Sequence, residues 1–364
     1  MTSRRKFLSH SGALVIGAQS TAVFAGSKQT YEDAVRSVWR HGNASGAQGL
    51  QRELVRYAIL APSSHNTQCW KFKLESERIS ILPDLSRRCP VVDPDDHHLF
   101  VSLGCAAENL VQAAAANGLN GDASFDESGE GSVRIGLRPA PSVRSTLFEA
   151  IPQRQCTRAE FDAKPLSLED LKLLEQAGTG TGVRVVFFTN KPSMEGVLEY
   201  VLRGNSAQFN DKPFLAELKK WIRFGESEAV ERGDGLFSRS SGNPSLPRWL
   251  GSLMFDFFVS GKTENNKTAK QVRSSAGIAV FVSEVNDKAH WIEAGRCYER
   301  FALQATALGI RNAFLNQPVE VSSLRPQFAS YLGIGQQRPD LVVRFGRGPA
   351  MPQSLRRPLD AVIV

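Results

Sequence analysis

The sequence predicts an α+β protein made of two tandem halves, with mixed sheets and central helices packed against each other as a pseudo-dimer within one chain. Three observations carry this prediction. Aligning Gly104 with Gly295 also superposes Glu108 on Glu299, Ala114 on Ala305, Ala116 on Ala307, Gly118 on Gly309 and Leu119 on Ile310 without a gap. Both repeated segments are Ala-rich and stop at a Gly followed by an aliphatic residue, and each is later followed by a strand pattern, SVRIGL or DLVVRF. Upstream of the first lies a helix, turn and strand from Leu50 onward, and LEDLKLLEQAGTGTGVRVVFF is its counterpart upstream of the second.

Taken in order, residues 1–25 come first. Ser3, Arg4, Arg5, Lys6, Phe7 and Leu8 form a twin-arginine pattern, and a weakly apolar run then ends in small residues at Val23 and Ala25. This order reads as an export signal cleaved after Ala25, with the twin-arginine machinery as partner and a periplasmic or otherwise exported destination after folding. YEDAVRSVWR reads as an amphipathic helix with Arg36 and Arg40 on a solvated face. LQRELVRYAIL places its apolar residues on one helical face, whereas WKFKLESERISIL alternates as strand does. Between them Pro62 ends the helix, so Ser63, Ser64, His65, Asn66 and Gln68 fall in a turn rich in donors and acceptors. Taken alone, that turn reads as a solvated one. The first half spans 26–145 and the second 146–364.

Composition bounds the function. With 364 residues, 41% of them hydrophobic, the chain can bury one large core or two joined ones. The net charge of +7 includes Arg4, Arg5 and Lys6, and no basic stripe interleaved with aromatics occurs, so nucleic acid is not expected as a partner. Five scattered cysteines without a CxxC do not make a disulfide framework. No stretch after the signal reads as a membrane span, so no stable anchor is expected. GTGTG follows a helix and precedes a strand, the reverse of the dinucleotide-binding order. Asp93, Asp95, Asp96, His97 and His98 read as a solvated turn beside Pro94, and no metal is expected there.

The two copies are unequal. Where copy one has PSSHNTQCW, copy two has GTGTG, with neither Asn nor Trp; copy two instead carries Arg154, Gln155, Cys156, Thr157 and Arg158 ahead of its helix, and Arg356 and Arg357 near its end. A Pro-Ser-Ser-x-Asn-x-Gln-x-Trp turn, an Arg-x-x-x-Arg segment, a late Gly-terminated helix and a C-terminal basic pair together resemble the nitroreductase family of FMN-binding flavoproteins. The single-chain duplication is most similar to its Acg-like branch, some of whose members are associated with FMN sequestration. The resemblance covers about residues 50 to 360.

It implies FMN as cofactor, held by Pro62, Ser63, Ser64 and Asn66 from copy one and by Arg154, Cys156, Arg158, Arg356 and Arg357 from copy two. The backbone around Leu315, Asn316, Gln317 and Pro318 is implied at the flavin N5 region, or else serves as a structural loop. Cys69 and Cys156 depart from the family pattern, since a thiol is the weaker hydrogen-bonding group. A reciprocal site would need Ser and Asn from GTGTG, so one FMN per chain and a monomer are expected. The implied activity is two-electron reduction of a small-molecule nitro, quinone or similar acceptor, with the electron donor unnamed. The alternative is FMN storage with little turnover. Residues 191–275 form a long insertion, read either as a lid presenting Trp221, Phe224 or Trp249 or as a surface subdomain.

Overall fold

A computed structural model describes residues 29–42, 46–258 and 260–364. The expected export signal and its cleavage site lie outside the described residues. Helices α1 (Tyr31–Val38) and α2 (Gly46–Ala58) precede strands β1 (Trp70–Glu75) and β2 (Arg78–Pro83), the long helix α3 (His97–Ala116), and strands β3 (Leu119–Asp126) and β4 (Ser132–Pro139). The short α4 (Thr146–Ala150) leads to α5 (Leu168–Gly178) and β5 (Val183–Phe188). Next come α6 (Lys191–Phe209), α7 (Lys212–Trp221), β6 (Ile222–Arg223), α8 (Glu226–Arg232), β7 (Leu236–Phe237), α9 (Arg248–Phe258) and α10 (Gly261–Arg273). Strand β8 (Gly277–Ser283), helix α11 (Lys288–Ala307), β9 (Arg311–Phe314), α12 (Gln317–Glu320), α13 (Arg325–Leu332) and β10 (Arg338–Gly346) complete the second half.

The duplication is visible in the strand orders. One sheet runs β1-β2-β4-β3 and the other β5-β8-β10-β9, so each strand of the first half has a counterpart in the same place in the second. All ladders within these two sheets are antiparallel. Their mixed character is confined to the edges, where isolated parallel bridges join Phe72 to Ile363 and Cys156 to Asn312. Each bridge carries chain from outside the repeat onto an edge strand.

The repeat register has a steric cause. Helices α3 and α11 pack against each other, and a Cβ on Gly104 would collide with the carbonyl of Ile292, as one on Gly295 would with the carbonyl of Val101. Only glycine allows the two backbones this close. Gly118 and Gly309 then end the two helices with φ of +77° and +69°, in the left-handed region a helix stop favours. By length and hydropathy α3 could cross a membrane, which the sequence did not suggest. Here it is a core helix, buried along most of its length.

Segment 191–275 occupies the position of the tight β1–β2 hairpin. Its first helix is not peripheral: Met194, Val197, Leu198 and Val201 of α6 pack with Ile278, Val280 and Val282 of β8 and with Val342 of β10. Every residue of β8 and β10 is consequently buried, because helices cover both faces of that sheet. In the first sheet β3 alternates between partly buried and exposed residues over most of its length, the pattern of a sheet with one face in water. The chain after β10 crosses to the first half, where Phe72 N–H donates to Val362 O at 2.8 Å and Val364 N–H donates to Phe72 O at 2.9 Å.

Candidate functional site

A cleft of about 320 Å³ is lined by Trp39, the turn after α2, the first half of α3, residues 154–158, the insertion, the stretch from β9 through α12, Leu341 of β10 and the C-terminal segment. The turn is wound tightly. His65, Asn66 and Gln68 have φ of 47°, 52° and 53°, a conformation that costs non-glycine residues roughly 1–3 kcal/mol each and persists where surrounding bonds over-determine it. Those bonds are present. The Asn66 amide donates to Gly235 O at 3.0 Å and Leu355 O at 3.2 Å, and Gln68 donates from its backbone to Ser63 Oγ at 2.9 Å and from its side chain to Gly233 O at 2.8 Å. The turn thus ties the insertion and the C-terminal segment to α2.

Pro62, Ser63, Ser64, Asn66, Arg154, Cys156, Arg158, Asn316, Gln317 and Arg356 all line this cleft. Their contacts within the chain differ from one another. Arg356 is spent on backbone carbonyls, donating to Ile59 O at 2.5 Å, Leu60 O at 2.9 Å and Ala61 O at 3.2 Å, and to Asn66 Oδ1 at 3.1 Å. It caps the carbonyl end of α2, where orphan acceptors and the helix dipole both favour a cation. Burial, with Arg154 beside it, lowers its pKa to about 9. Arg154 adds a bond to Leu60 O at 2.8 Å and lies 3.1 Å from the buried Glu299. That approach is an ion pair with poor hydrogen-bond alignment, because Arg154 Nε and Nη1 and both Glu299 oxygens lack partners. Burial pushes the Glu299 carboxyl up to about 7, against the pull of Arg154. Arg158 differs from both, since it has no carboxylate partner among the described residues.

Arg357 is a correction to the expected set, because it does not line the cleft. Its backbone N–H donates to Gln68 Oε1 at 2.8 Å, and its guanidinium donates to Gln68 O and Ala361 O and lies 3.7 Å from Asp84. The three aromatics proposed for the insertion are a second correction. Trp221 packs with Cys89, Val92 and Phe214, Phe224 packs against Phe255, and Trp249 is 71% exposed. The insertion lines the cleft through Asn205, Gln208, Phe209, Phe214, Leu218, Leu236, Glu264 and Thr268 instead.

Sequence reasoning also missed Trp39, His98 and Glu320 as lining residues. Trp39 lies under the Arg356 guanidinium at 4.7 Å and donates to Ser354 O at 2.8 Å. The donor atoms of Asp93, His97 and His98 come within 4.8 Å of one another. Most of them are engaged within the protein: Asp93 accepts the His98 and Leu99 N–H groups at 3.0 and 2.9 Å as a cap of α3, and His97 Nε2 lies 2.9 Å from Asp340 Oδ1.

A second cavity of about 240 Å³ sits in the pseudo-equivalent place. On the register that aligns Gly104 with Gly295, the cleft residues Val101 and Cys105 correspond to Ile292 and Arg296, which line this second cavity with Thr181 of GTGTG. Two of its lining residues, Glu293 and Arg296, belong to an ion-pair cluster. Arg296 and Arg300 reach Glu108 at 3.3 and 3.0 Å, and Glu293 at 3.0 and 3.1 Å. The positions in α3 that correspond to these arginines carry Cys105 and Asn109, so the ion-pair cluster beside the second cavity has no counterpart beside the first.

No protein-family model matches the chain. Two Mycobacterium tuberculosis proteins are similar over most of its length. "Putative NAD(P)H nitroreductase Rv3131" is 24% identical over 325 residues, covering 86% of this chain and 90% of its own. "Putative NAD(P)H nitroreductase acg" is likewise 24% identical over 325 residues, covering 85% of this chain and 94% of its own. Among solved structures, a Bacteroides fragilis nitroreductase with bound FMN is 16% identical, covering 56% of this chain and 89% of its own, with a TM-score of 0.35. The Mycobacterium smegmatis FMN-dependent nitroreductase NfnB in complex with NADPH is 12% identical, covering 56% and 87%, with a TM-score of 0.37. The chain is therefore similar, through both of its halves, to mycobacterial proteins named as NAD(P)H nitroreductases.

Proposed function

We propose that the cleft holds one FMN and that the protein is a flavin-dependent oxidoreductase of the nitroreductase type, reducing a small nitro, quinone or similar acceptor. The observation that carries this reading is the asymmetry of the two pseudo-equivalent cavities. The larger is lined by the Pro62–Asn66 turn and by Arg158, whereas the smaller is lined by Glu293 and Arg296, which belong to an ion-pair cluster with Glu108 and Arg300.

The residues present fit an aromatic ring bearing a polar chain and a phosphate. Arg158, without a carboxylate partner among the described residues, suits a phosphate. Ser64 and the unpartnered Oε1 of Gln317 suit the hydroxyls and ring edge, and Val101, Phe314 and Leu341 provide apolar faces. Bound FMN supplies two-electron chemistry; the protein's part is position and electrostatics. Arg356 holds the end of α2 and thereby the turn, Asn66 holds the turn to the insertion, and the insertion screens the site from water. Similarity to proteins named as NAD(P)H nitroreductases supports a nicotinamide electron donor.

Anaerobic titration of the purified yellow protein with NADH and NADPH tests this reading. Bleaching of the bound flavin is expected. An inert, tightly held flavin would favour storage, and a colourless protein whose melting temperature FMN does not raise would contradict both.

A further inference from the structure

Polar groups from both halves and from the insertion line the same cleft. His98 comes from α3, Gln317 and Glu320 from α12, and Asn205 and Gln208 from α6. His98 is 5% exposed, and its Nε2 has no hydrogen-bond partner; its Nδ1 edge faces Asp93 Oδ1 at 3.9 Å. Glu320 is only partly buried, and one of its oxygens, Oε2, accepts from Gln208 Nε2 at 2.6 Å. Neither residue has an arginine or lysine within ion-pairing distance among the described residues. The nearby cations are turned elsewhere: Arg325 donates to Val319 O and lies 3.6 Å from Asp95, and Arg338 lies 3.1 Å from Asp95.

A half-buried carboxyl without a cation and a buried imidazole Nε2 without a partner both point to a group from outside the chain. We propose that Glu320 is the proton donor to the acceptor and that His98 Nε2–H holds the acceptor oxygen being reduced, a role that rests on the cleft being the flavin site. A quinone takes two electrons and one proton as hydride from the reduced flavin, and its second oxygen gains a proton as the Glu320 O–H bond breaks. The resulting carboxylate is reprotonated by water from the cleft mouth. Burial raises the Glu320 pKa, with Asp93 acting in the same sense and His98 in the opposite one, which keeps a larger protonated fraction available near neutral pH. Burial lowers the His98 pKa, although Glu320 and Asp95 oppose this, which favours the neutral ring; its single N–H is placed by this proposal on Nε2, which leaves Nδ1 unprotonated 3.9 Å from Asp93.

Glu320→Gln and His98→Ala, compared with the wild type in stopped-flow reoxidation of the dithionite-reduced protein, test this. The acceptors are a water-soluble benzoquinone, which needs a proton, and ferricyanide, which does not. Glu320→Gln is expected to slow the quinone on the order of 100-fold, to remove the fall in rate with rising pH, and to leave ferricyanide and the flavin content unchanged. His98→Ala is expected to weaken binding of a non-reducible quinone analogue, read as a perturbation of the oxidised flavin spectrum. If Glu320→Gln keeps its flavin and its quinone rate, or slows both acceptors alike, the proposal is wrong while the flavin site stands. If the wild type holds no flavin, both are wrong.

Discussion

Arg158 and Arg154 are four residues apart and line the same cleft, yet their surroundings divide the work between them. Arg154 is committed to Glu299 and to Leu60 O, so removing it leaves a buried carboxylate alone and should impair folding. Arg158 has no such commitment. Arg158→Ala is expected to weaken FMN binding by about 1.5–3 kcal/mol, the range for a hydrogen bond to a charged group, while changing riboflavin binding little and the urea midpoint not at all. Equal losses for FMN and riboflavin would remove the phosphate from this end of the cleft. His65 offers a pH test. Burial, with Arg158 beside it, holds its pKa at about 4, against about 6.5 in an unfolded chain. Between these values the unfolded chain carries the extra proton, so the residue's contribution to stability is intact above pH 6.5 and is lost as pH falls through 4. Asparagine tolerates the positive φ of this position. His65→Asn should therefore show a smaller drop in Tm from pH 7 to pH 4.5 than the wild type, and an equal drop would count against a buried neutral imidazole.

Helices α3 and α11 cross at the two residues that align the repeat. Because the collision partners at Gly104 and Gly295 are backbone carbonyls, no side-chain rotation can make room. Gly295→Ala should cost about 3 kcal/mol or more, by forcing the helices apart, whereas Gly129→Ala, with open space around it but φ of +63°, should cost only the roughly 1 kcal/mol of a strained turn. Urea denaturation of the two variants makes the comparison. At this scale much was legible in the sequence, because close helix approach leaves a glycine as its mark, helix stops leave another, and strands alternate. The insertion was legible as an interruption of the repeat. Its lining residues were not, since which face of α6 or α10 meets the cleft depends on a sheet whose strands lie on both sides of it in sequence. The true bonds of Arg356 were equally hidden, because its partners at Ile59, Leu60 and Ala61 are carbonyls that every residue possesses.

The whole molecule reads as a duplicated unit that has become asymmetric. Equal strand orders and the shared glycine crossing preserve the duplication, while the insertion, the Pro62–Asn66 turn and the Arg154–Arg158 segment build one cleft only. Beside its counterpart four charged side chains pair with one another. The asymmetry has a simple reading in charge: Cys105 and Asn109 leave space beside Glu299 for Arg154, whereas Arg296 and Arg300 fill the corresponding space beside Glu108. A dimer interface of the usual two-site kind would have no such inequality. The most direct measurement is therefore the molar ratio of FMN to protein chain at saturation, by equilibrium titration of the apoprotein with light scattering to fix the mass. One FMN per monomeric chain is the predicted result, and a ratio of two, or no binding, would contradict it.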